Sequence, residues 1–93
     1  MQPTVNITVR LFGLRGGDSR LTRLPTCAPA GFTVSALLAQ LRSQAAPTDR
    51  LASADPDALL VLVNGRPVQY LQGWETRLGE QDEITFLLKT AGG

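Results

Sequence analysis

The C-terminus of the chain carries the residues whose type and position could do chemistry. The sequence ends Lys89-Thr90-Ala91-Gly92-Gly93, so two glycines stand last. Because glycine has no Cβ, such an end can be drawn extended into a narrow enzyme channel that would reject any side chain. The unhindered carboxylate of Gly93 can then be activated as an acyl-adenylate by a partner that binds ATP, and a sulfur or amine nucleophile can capture it.

The composition excludes most self-contained enzyme chemistry. The 93 residues include no histidine, the commonest general base and metal ligand. Cys27 is the only cysteine, which excludes an internal disulfide, an iron–sulfur cluster and a structural zinc site. Nine basic and eight acidic residues give a net charge of +1, so no global field attracts nucleic acid or anionic lipid. We therefore expect no metal, no bound cofactor, no nucleic-acid partner and no membrane partner.

The length allows one small domain to hold this tail. We expect residues 1–88 to form a single domain and residues 89–93 to form a flexible C-terminal Gly-Gly tail. The longest apolar run, Ala58 to Val63, has six residues, far short of the roughly 18 that a membrane span needs. The N-terminus also lacks the charged and apolar blocks of a signal peptide. We expect a soluble, cytoplasmic protein.

Two strands and a helix are predicted in the first half of the chain. Val5 to Leu11 alternates apolar and polar residues, the pattern of a half-buried strand. Beyond a glycine-rich turn, Ser19 to Thr26 predicts a weaker strand, which Pro25 assigns to the edge of a sheet. Thr33 then begins a helix as its N-cap, and Pro47 stops it. The helix has one apolar stripe: Val34, Leu37, Leu38 and Leu41.

The second half predicts three more strands. The apolar run Leu59 to Val63 is typical of a strand buried on both faces. Asn64-Gly65 predicts a hairpin turn, followed by a brief strand through Tyr70. Glu83 to Leu88 alternates again and predicts the last strand. One helix on one face of a mixed sheet, with the last strand parallel to the first, is the α+β arrangement called the β-grasp or ubiquitin-like fold.

Several segments of the chain resemble one family of sulfur carriers. The segments Val63-Asn64-Gly65-Arg66, Asp82-Glu83-Ile84-Thr85-Phe86 and the final Ala91-Gly92-Gly93 resemble the MoaD/ThiS family. Val9 to Arg15 is similar to the opening strand and turn of MoaD. The resemblance implies that an E1-like adenylating enzyme of the MoeB/ThiF type activates the Gly93 carboxylate with ATP and that the carboxylate becomes a thiocarboxylate. Gly92, Ala91 and Thr90 complete a slim tail.

The resemblance also implies the role of the chain and its partners. The protein is expected to be a sulfur-donating co-substrate, or the small subunit of a synthase complex, and not an enzyme. A sulfurtransferase or cysteine desulfurase supplies the sulfur. The acceptor is a molybdopterin synthase subunit of the MoaE type, a thiazole synthase or a tRNA-thiolating enzyme, with molybdenum cofactor biosynthesis the leading pathway. Two alternatives stay open: a ubiquitin-like modifier conjugated to lysines through Gly93, and a plain β-grasp interaction module.

Two positions depart from the family pattern. MoaD chains often carry a Pro-Pro pair shortly before the tail, where this chain has Leu88-Lys89. The family's usual Asp-Gly-Asp before the last strand is Glu80-Gln81-Asp82 here, so we expect a different turn geometry.

A partner interface is predicted from the alternation in the last strand. The alternation points Leu87 away from the core, beside Phe12 and close to the tail, where an apolar side chain suits a partner. Arg10 and Arg66 are candidates to pair with acidic residues of the activating enzyme. The predicted partner-binding residues are therefore Leu87, Phe12, Arg10 and Arg66.

Overall fold

Within the part of the chain that the structure describes, five strands form one mixed sheet with an α-helix on one face, which confirms the ubiquitin-like β-grasp fold. The structure, a computed structural model, describes residues 3–13, 21–44, 51 and 55–88. The order across the sheet is β2-β1-β5-β3-β4. The elements are β1 (Thr4–Phe12), β2 (Leu21–Pro29), α1 (Val34–Gln44), β3 (Leu59–Val63), β4 (Arg66–Pro67) and β5 (Glu83–Leu88).

β1 and β2 form the antiparallel hairpin that the sequence predicts. Their register runs from Thr4 opposite Pro29 to Phe12 opposite Leu21. β2 ends three residues beyond the predicted Thr26, because β1 begins at Thr4 and so still offers a partner to Pro29. β2 lies at the edge of the sheet, as proline in the strand predicts. The predicted glycine-rich turn begins at Gly13, and its residues from 14 onward lie outside the described residues.

Helix α1 begins at the predicted cap and buries the predicted stripe. The Ala36 N–H donates to Thr33 Oγ1 at 3.2 Å, which satisfies one of the unpaired amides of the first turn. Phe32, directly before the cap, packs against the core. The helix ends at Gln44, and Pro47 lies outside the described residues. The buried helix residues are Val34, Leu37, Leu38 and Leu41.

β3 differs from its prediction on one face. Leu59, Val61 and Val63 are buried, whereas Leu60 and Leu62 are only half-buried. The expectation of burial on both faces is therefore wrong. The core with α1 covers one side of the sheet, and Leu60 and Leu62 lie on the other side.

The hairpin after β3 has the predicted turn but a shorter second strand. Asn64 and Gly65 have φ angles of 52° and 83°, the left-handed pair that a two-residue hairpin requires. β4 is limited to Arg66–Pro67, so the strand predicted through Tyr70 is wrong. The chain enters a 3-10 turn at Val68–Tyr70, where the Leu71 N–H donates to the Val68 carbonyl at 2.8 Å.

β5 completes the sheet between β1 and β3. It runs parallel to β1, from Thr8 opposite Glu83 to Phe12 opposite Leu87, as the sequence predicts. Ile84 and Phe86 are fully buried under the helix. No helix in the described ranges is long and apolar enough to cross a membrane. The predicted tail, residues 89–93, lies outside the described residues.

Candidate functional site

The sheet fixes where the chain passes into its C-terminal segment. Leu88 is the last residue of β5 and lies opposite Leu59, the first residue of β3. At this end of the sheet β1 ends and β2 begins, and we call it the tail end. The predicted reactive residue Gly93 and its neighbours in 90–92 come after Lys89 in the sequence and lie outside the described residues.

A row of four apolar side chains crosses the sheet at the tail end, on the face turned away from α1. Strand pairing sets them side by side, because directly opposite residues in a sheet point to the same face. Phe12 and Leu21 are 37% and 40% exposed, and the other two are half-buried. Contiguous exposed apolar surface of this kind is typical of a docking site. In spatial order the apolar row is Leu21, Phe12, Leu87 and Leu60.

The structure brings two predicted partner residues together and adds two that the sequence did not reveal. Phe12 and Leu87 are direct partners in the β1–β5 ladder. Leu21 stands three residues before Leu24 in β2, so the two side chains point to opposite faces, and only Leu24 packs on the core. Leu60 lies within the unbroken apolar run of β3, so the sequence pattern does not show which face of the sheet it occupies. Both additions become visible only once the strand register is known.

Arg10 lies on the same face, one pair further from the tail end. Its Nη1 donates to Glu83 Oε1 at 3.0 Å, and its guanidinium carbon stands 5.5 Å from the centre of the Phe12 ring. Arg23 is directly opposite Arg10 on β2 and is exposed. Two cations therefore border the apolar row, and Arg23 is one that the sequence prediction missed.

Arg66 does not share this surface. It lies opposite Val63, whose side chain is buried with the core, so Arg66 occupies the helix side of the sheet at the β4 edge. Three of the four predicted partner residues thus lie on one face and the fourth on the other. A role for Arg66 in partner binding stays a prediction.

The opposite end of the sheet, which we call the turn end, is held by side-chain hydrogen bonds. Asp82 Oδ2 accepts from the Gly79 N–H at 2.7 Å, and Asp82 Oδ1 accepts from Asn64 Nδ2 at 2.9 Å. The Asn64 Oδ1 accepts in turn from the Glu83 N–H at 2.9 Å. Asp82 thereby ties the β3–β4 turn to the loop that leads into β5.

The residues beside Asp82 complete this connection. Glu80 accepts from the backbone N–H and the Nδ2 of Asn6, at 2.9 and 3.0 Å. Gln81 has a φ of 65°, in the left-handed region that favours glycine. The turn therefore has a glycine-like backbone although its middle residue is not glycine. These contacts join the loop to β1 and are structural.

The described surface also has clefts, one of which, of about 440 Å³, lies along β3 with Asp57 and Trp74 in its wall. A cleft of about 530 Å³ opens between β1 and β2 at the turn end, with Cys27 and Thr8 in its wall. The described lining has no charged side chain. Across residues 3–13, 21–44, 51 and 55–88, no three His, Cys, Asp or Glu side chains stand close enough to hold a metal ion. The tail end is therefore the candidate site.

Comparison with known sequences finds one protein family whose sequence model matches the chain. The sequence model of the ThiS family matches residues 22–93, which is more than half of the chain and includes both terminal glycines. No curated protein sequence matches the chain.

Solved structures with the same fold include archaeal and bacterial proteins. The solution structure of the Haloferax volcanii HVO 2177 protein is 25% identical, with a TM-score of 0.72 over 97% of this chain and 88% of that one. The small archaeal modifier protein 1 of Methanosarcina acetivorans is 24% identical, with a TM-score of 0.69 over 98% and 99%. A chain of the Amycolatopsis orientalis BexX/CysO complex is 22% identical, with a TM-score of 0.60 over 94% and 99%.

Proposed function

The chain belongs to the ThiS family of ubiquitin-like sulfur carriers and modifiers, and we propose that it is a sulfur carrier whose reactive group is the Gly93 carboxylate. The family match, which confirms the resemblance seen in the sequence, carries the proposal because it continues through Gly92-Gly93. The apolar row supports it, because its exposed apolar side chains lie where the chain leaves β5.

The proposed chemistry takes place on the tail and needs a partner. The Gly93 carboxylate attacks the α-phosphate of ATP on an E1-like adenylating enzyme, which forms the acyl-adenylate and releases pyrophosphate. A sulfur nucleophile such as hydrosulfide then displaces AMP and leaves a thiocarboxylate. Gly92 and Ala91 allow the extended tail to enter a narrow channel, because neither carries a long side chain. The carrier acts as a co-substrate and uses no bound cofactor of its own.

The proposed partners follow from this sequence of steps. An adenylating enzyme of the MoeB/ThiF type binds first, and a sulfurtransferase or cysteine desulfurase supplies the sulfur in the cytoplasm. An acceptor such as a MoaE-type synthase subunit then takes the sulfur. CysO, one of the similar chains, is known in a complex with BexX, which fits a carrier that works by docking. We propose that docking uses Phe12, Leu87 and Arg10 on the face of the sheet turned away from α1, which we call the open face.

Conjugation to proteins is the second candidate function. It is favoured by the similarity to a small archaeal modifier protein, and it uses the same acyl-adenylate. The difference lies in the nucleophile that captures the acyl group, a lysine amine in place of sulfur. An intact Gly-Gly end is required in both cases.

Intact-mass spectrometry separates these functions. The purified chain is incubated with ATP, a MoeB/ThiF-type enzyme of its own organism, and sulfide or a cysteine desulfurase with cysteine. We expect the mass gain of one sulfur-for-oxygen exchange, absent when Gly93 is deleted. An adenylate that never takes up sulfur but joins to lysine would favour the modifier. An unchanged mass with a competent enzyme would contradict both functions.

A further inference from the structure

Two arginines face each other across the β1–β2 hairpin, on the open face next to the apolar row. Arg10 and Arg23 are direct partners in the antiparallel ladder. The Thr8 N–H donates toward β5, to the Asp82 carbonyl, so by alternation the Arg10 amide also points toward β5 and not toward Arg23. Arg10 and Arg23 therefore form a non-hydrogen-bonded pair, the kind in which side chains stand closest. Like charges at such a position oppose folding, so stability does not explain the pair.

Only one of these two cations is neutralised within the described part of the chain. Arg10 forms its ion pair with Glu83, and the two side chains are 27% and 42% exposed. The Nε of Arg10 is buried without a hydrogen-bond partner. Arg23 is exposed and forms no ion pair with any described residue. Among the residues that the structure describes, the border of the apolar row thus has one cation without an ion-pair partner, Arg23, and one held by a carboxylate of the same face.

This pattern specifies the surface that would cover the row. Apolar side chains match the row itself, and carboxylates match the two arginines beside it. We propose that the activating enzyme presents carboxylates next to its apolar contact surface, and that Glu83 is an internal competitor for Arg10. The inference rests on the proposed function, because it names the chemistry of the partner that docks on the same site.

Glu83 is suited to be displaced. A partly exposed ion pair is screened by water and contributes little to stability, so exchange of one carboxylate for another costs little. The pair has a single hydrogen bond, from Arg10 Nη1 to Glu83 Oε1. It is therefore not the stronger two-bond pairing that a guanidinium can form with a carboxylate. Once a partner covers this face, the Glu83 carboxylate stands close to the partner's carboxylates and opposes docking. Removal of its charge should therefore tighten binding.

The test measures how charge changes on this face affect activation. ATP–pyrophosphate exchange by the MoeB/ThiF-type enzyme gives KM and kcat for the wild-type chain and its variants at low and high salt. We expect Arg23→Gln to raise KM about three- to tenfold and Glu83→Gln to lower it about two- to threefold, both with kcat unchanged. Both effects should shrink as salt rises, because exposed charges are screened.

Matched variants keep the change of net charge but avoid the open face. Arg77→Gln and Glu75→Gln alter exposed residues outside the described strands and should shift KM by less than about twofold. Urea unfolding of each variant confirms that it is folded.

Three results would overturn the inference. If Arg23→Gln and Arg77→Gln had the same KM for activation, no acidic surface of the enzyme would meet the two arginines. Glu83→Gln with a raised KM would make Glu83 a positioning residue for Arg10 instead of a competitor. A wild-type chain that the enzyme never activates would overturn the proposed function itself, and with it this inference.

Discussion

The two ends of the sheet differ in the side chains that they carry. At the turn end, Asp82 and Glu80 accept hydrogen bonds from three different parts of the chain. At the tail end, the apolar row crosses four strands, and Phe12 and Leu21 keep more than a third of their surface in water. The sheet thus has polar side chains with hydrogen-bond partners at one end and exposed apolar side chains at the other.

This difference indicates that the turn end serves folding and the tail end serves docking. The loop before β5 needs side-chain hydrogen bonds because a turn cannot pair its own backbone groups in a ladder. The tail end gains no comparable stability from exposed apolar side chains, which lower solubility and favour contact with another surface. We therefore expect changes at the tail end to affect docking and changes at the turn end to affect folding.

The largest effect is expected at the tail end. The double variant Phe12→Ala/Leu87→Ala removes the two central side chains of the apolar row. Its KM for activation should rise about 30- to 100-fold, the loss of about 2–3 kcal/mol from two apolar side chains that a partner would bury. Steady-state ATP–pyrophosphate exchange measures KM, and urea unfolding shows whether the variant is folded.

Exposed residues elsewhere give a matched control for this variant. Tyr70 and Leu71 are 77% and 38% exposed and lie beyond β4, outside the apolar row. The double variant Tyr70→Ala/Leu71→Ala should leave KM within about twofold. Equal losses in the two double variants would show that the row has no special role in docking, and the comparison of the two ends would fail.

A smaller effect, on folding alone, is expected at the turn end. Asp82→Ala removes the acceptor of the Gly79 amide and of the Asn64 side chain. It should lower the free energy of unfolding by about 1–2 kcal/mol, since part of the lost bonding is replaced by water. Asp57→Ala is the control, because Asp57 is exposed and its carboxylate accepts no bond from a described residue.

The comparison also specifies what Asp82→Ala should leave unchanged. The folded variant should have the wild-type KM for activation, because Asp82 lies at the end of the sheet away from the row. A raised KM with an unchanged urea midpoint would place the turn end in the docking surface.

The elements of this fold are predictable wherever a local signal determines them. The stripe of α1, the cap at Thr33 and the turn at Asn64-Gly65 all depend on residues close together in sequence, and all three are confirmed. Predictions failed where neighbouring elements decide. The second face of β3 is half-exposed because the helix lies on one side only, and β4 stops at Pro67 because the chain turns into a 3-10 conformation.

The candidate site was predictable only in part, for a related reason. The alternation of β5 correctly turns Leu87 away from the core and toward Phe12. Leu21, Leu60 and Arg23 belong to other strands. Their position beside Leu87 and Phe12 depends on how the strands pair, which the sequence does not show. Arg66 shows the converse, because its place within a family motif says nothing about the face it occupies. Residues 90–93, which carry the proposed chemistry, are recognised from sequence alone.

The smallest expected effect tests the backbone at the turn end. Gln81 has a φ of 65°, a conformation that costs a residue with a Cβ roughly 1 kcal/mol and costs glycine almost nothing. Glycine also gives the unfolded chain more freedom, which cancels part of the gain. Gln81→Gly should therefore raise the free energy of unfolding by about 0.5 kcal/mol, measured by urea unfolding. Gln69→Gly, at an exposed site without a positive φ, should instead destabilise the protein.

Gln81→Gly should not change KM. The Gln81 N–H donates to the Asn6 carbonyl, a backbone contact that the variant keeps. A loss of stability in Gln81→Gly would mean that the Gln81 side chain, and not the backbone turn, holds the loop to β1.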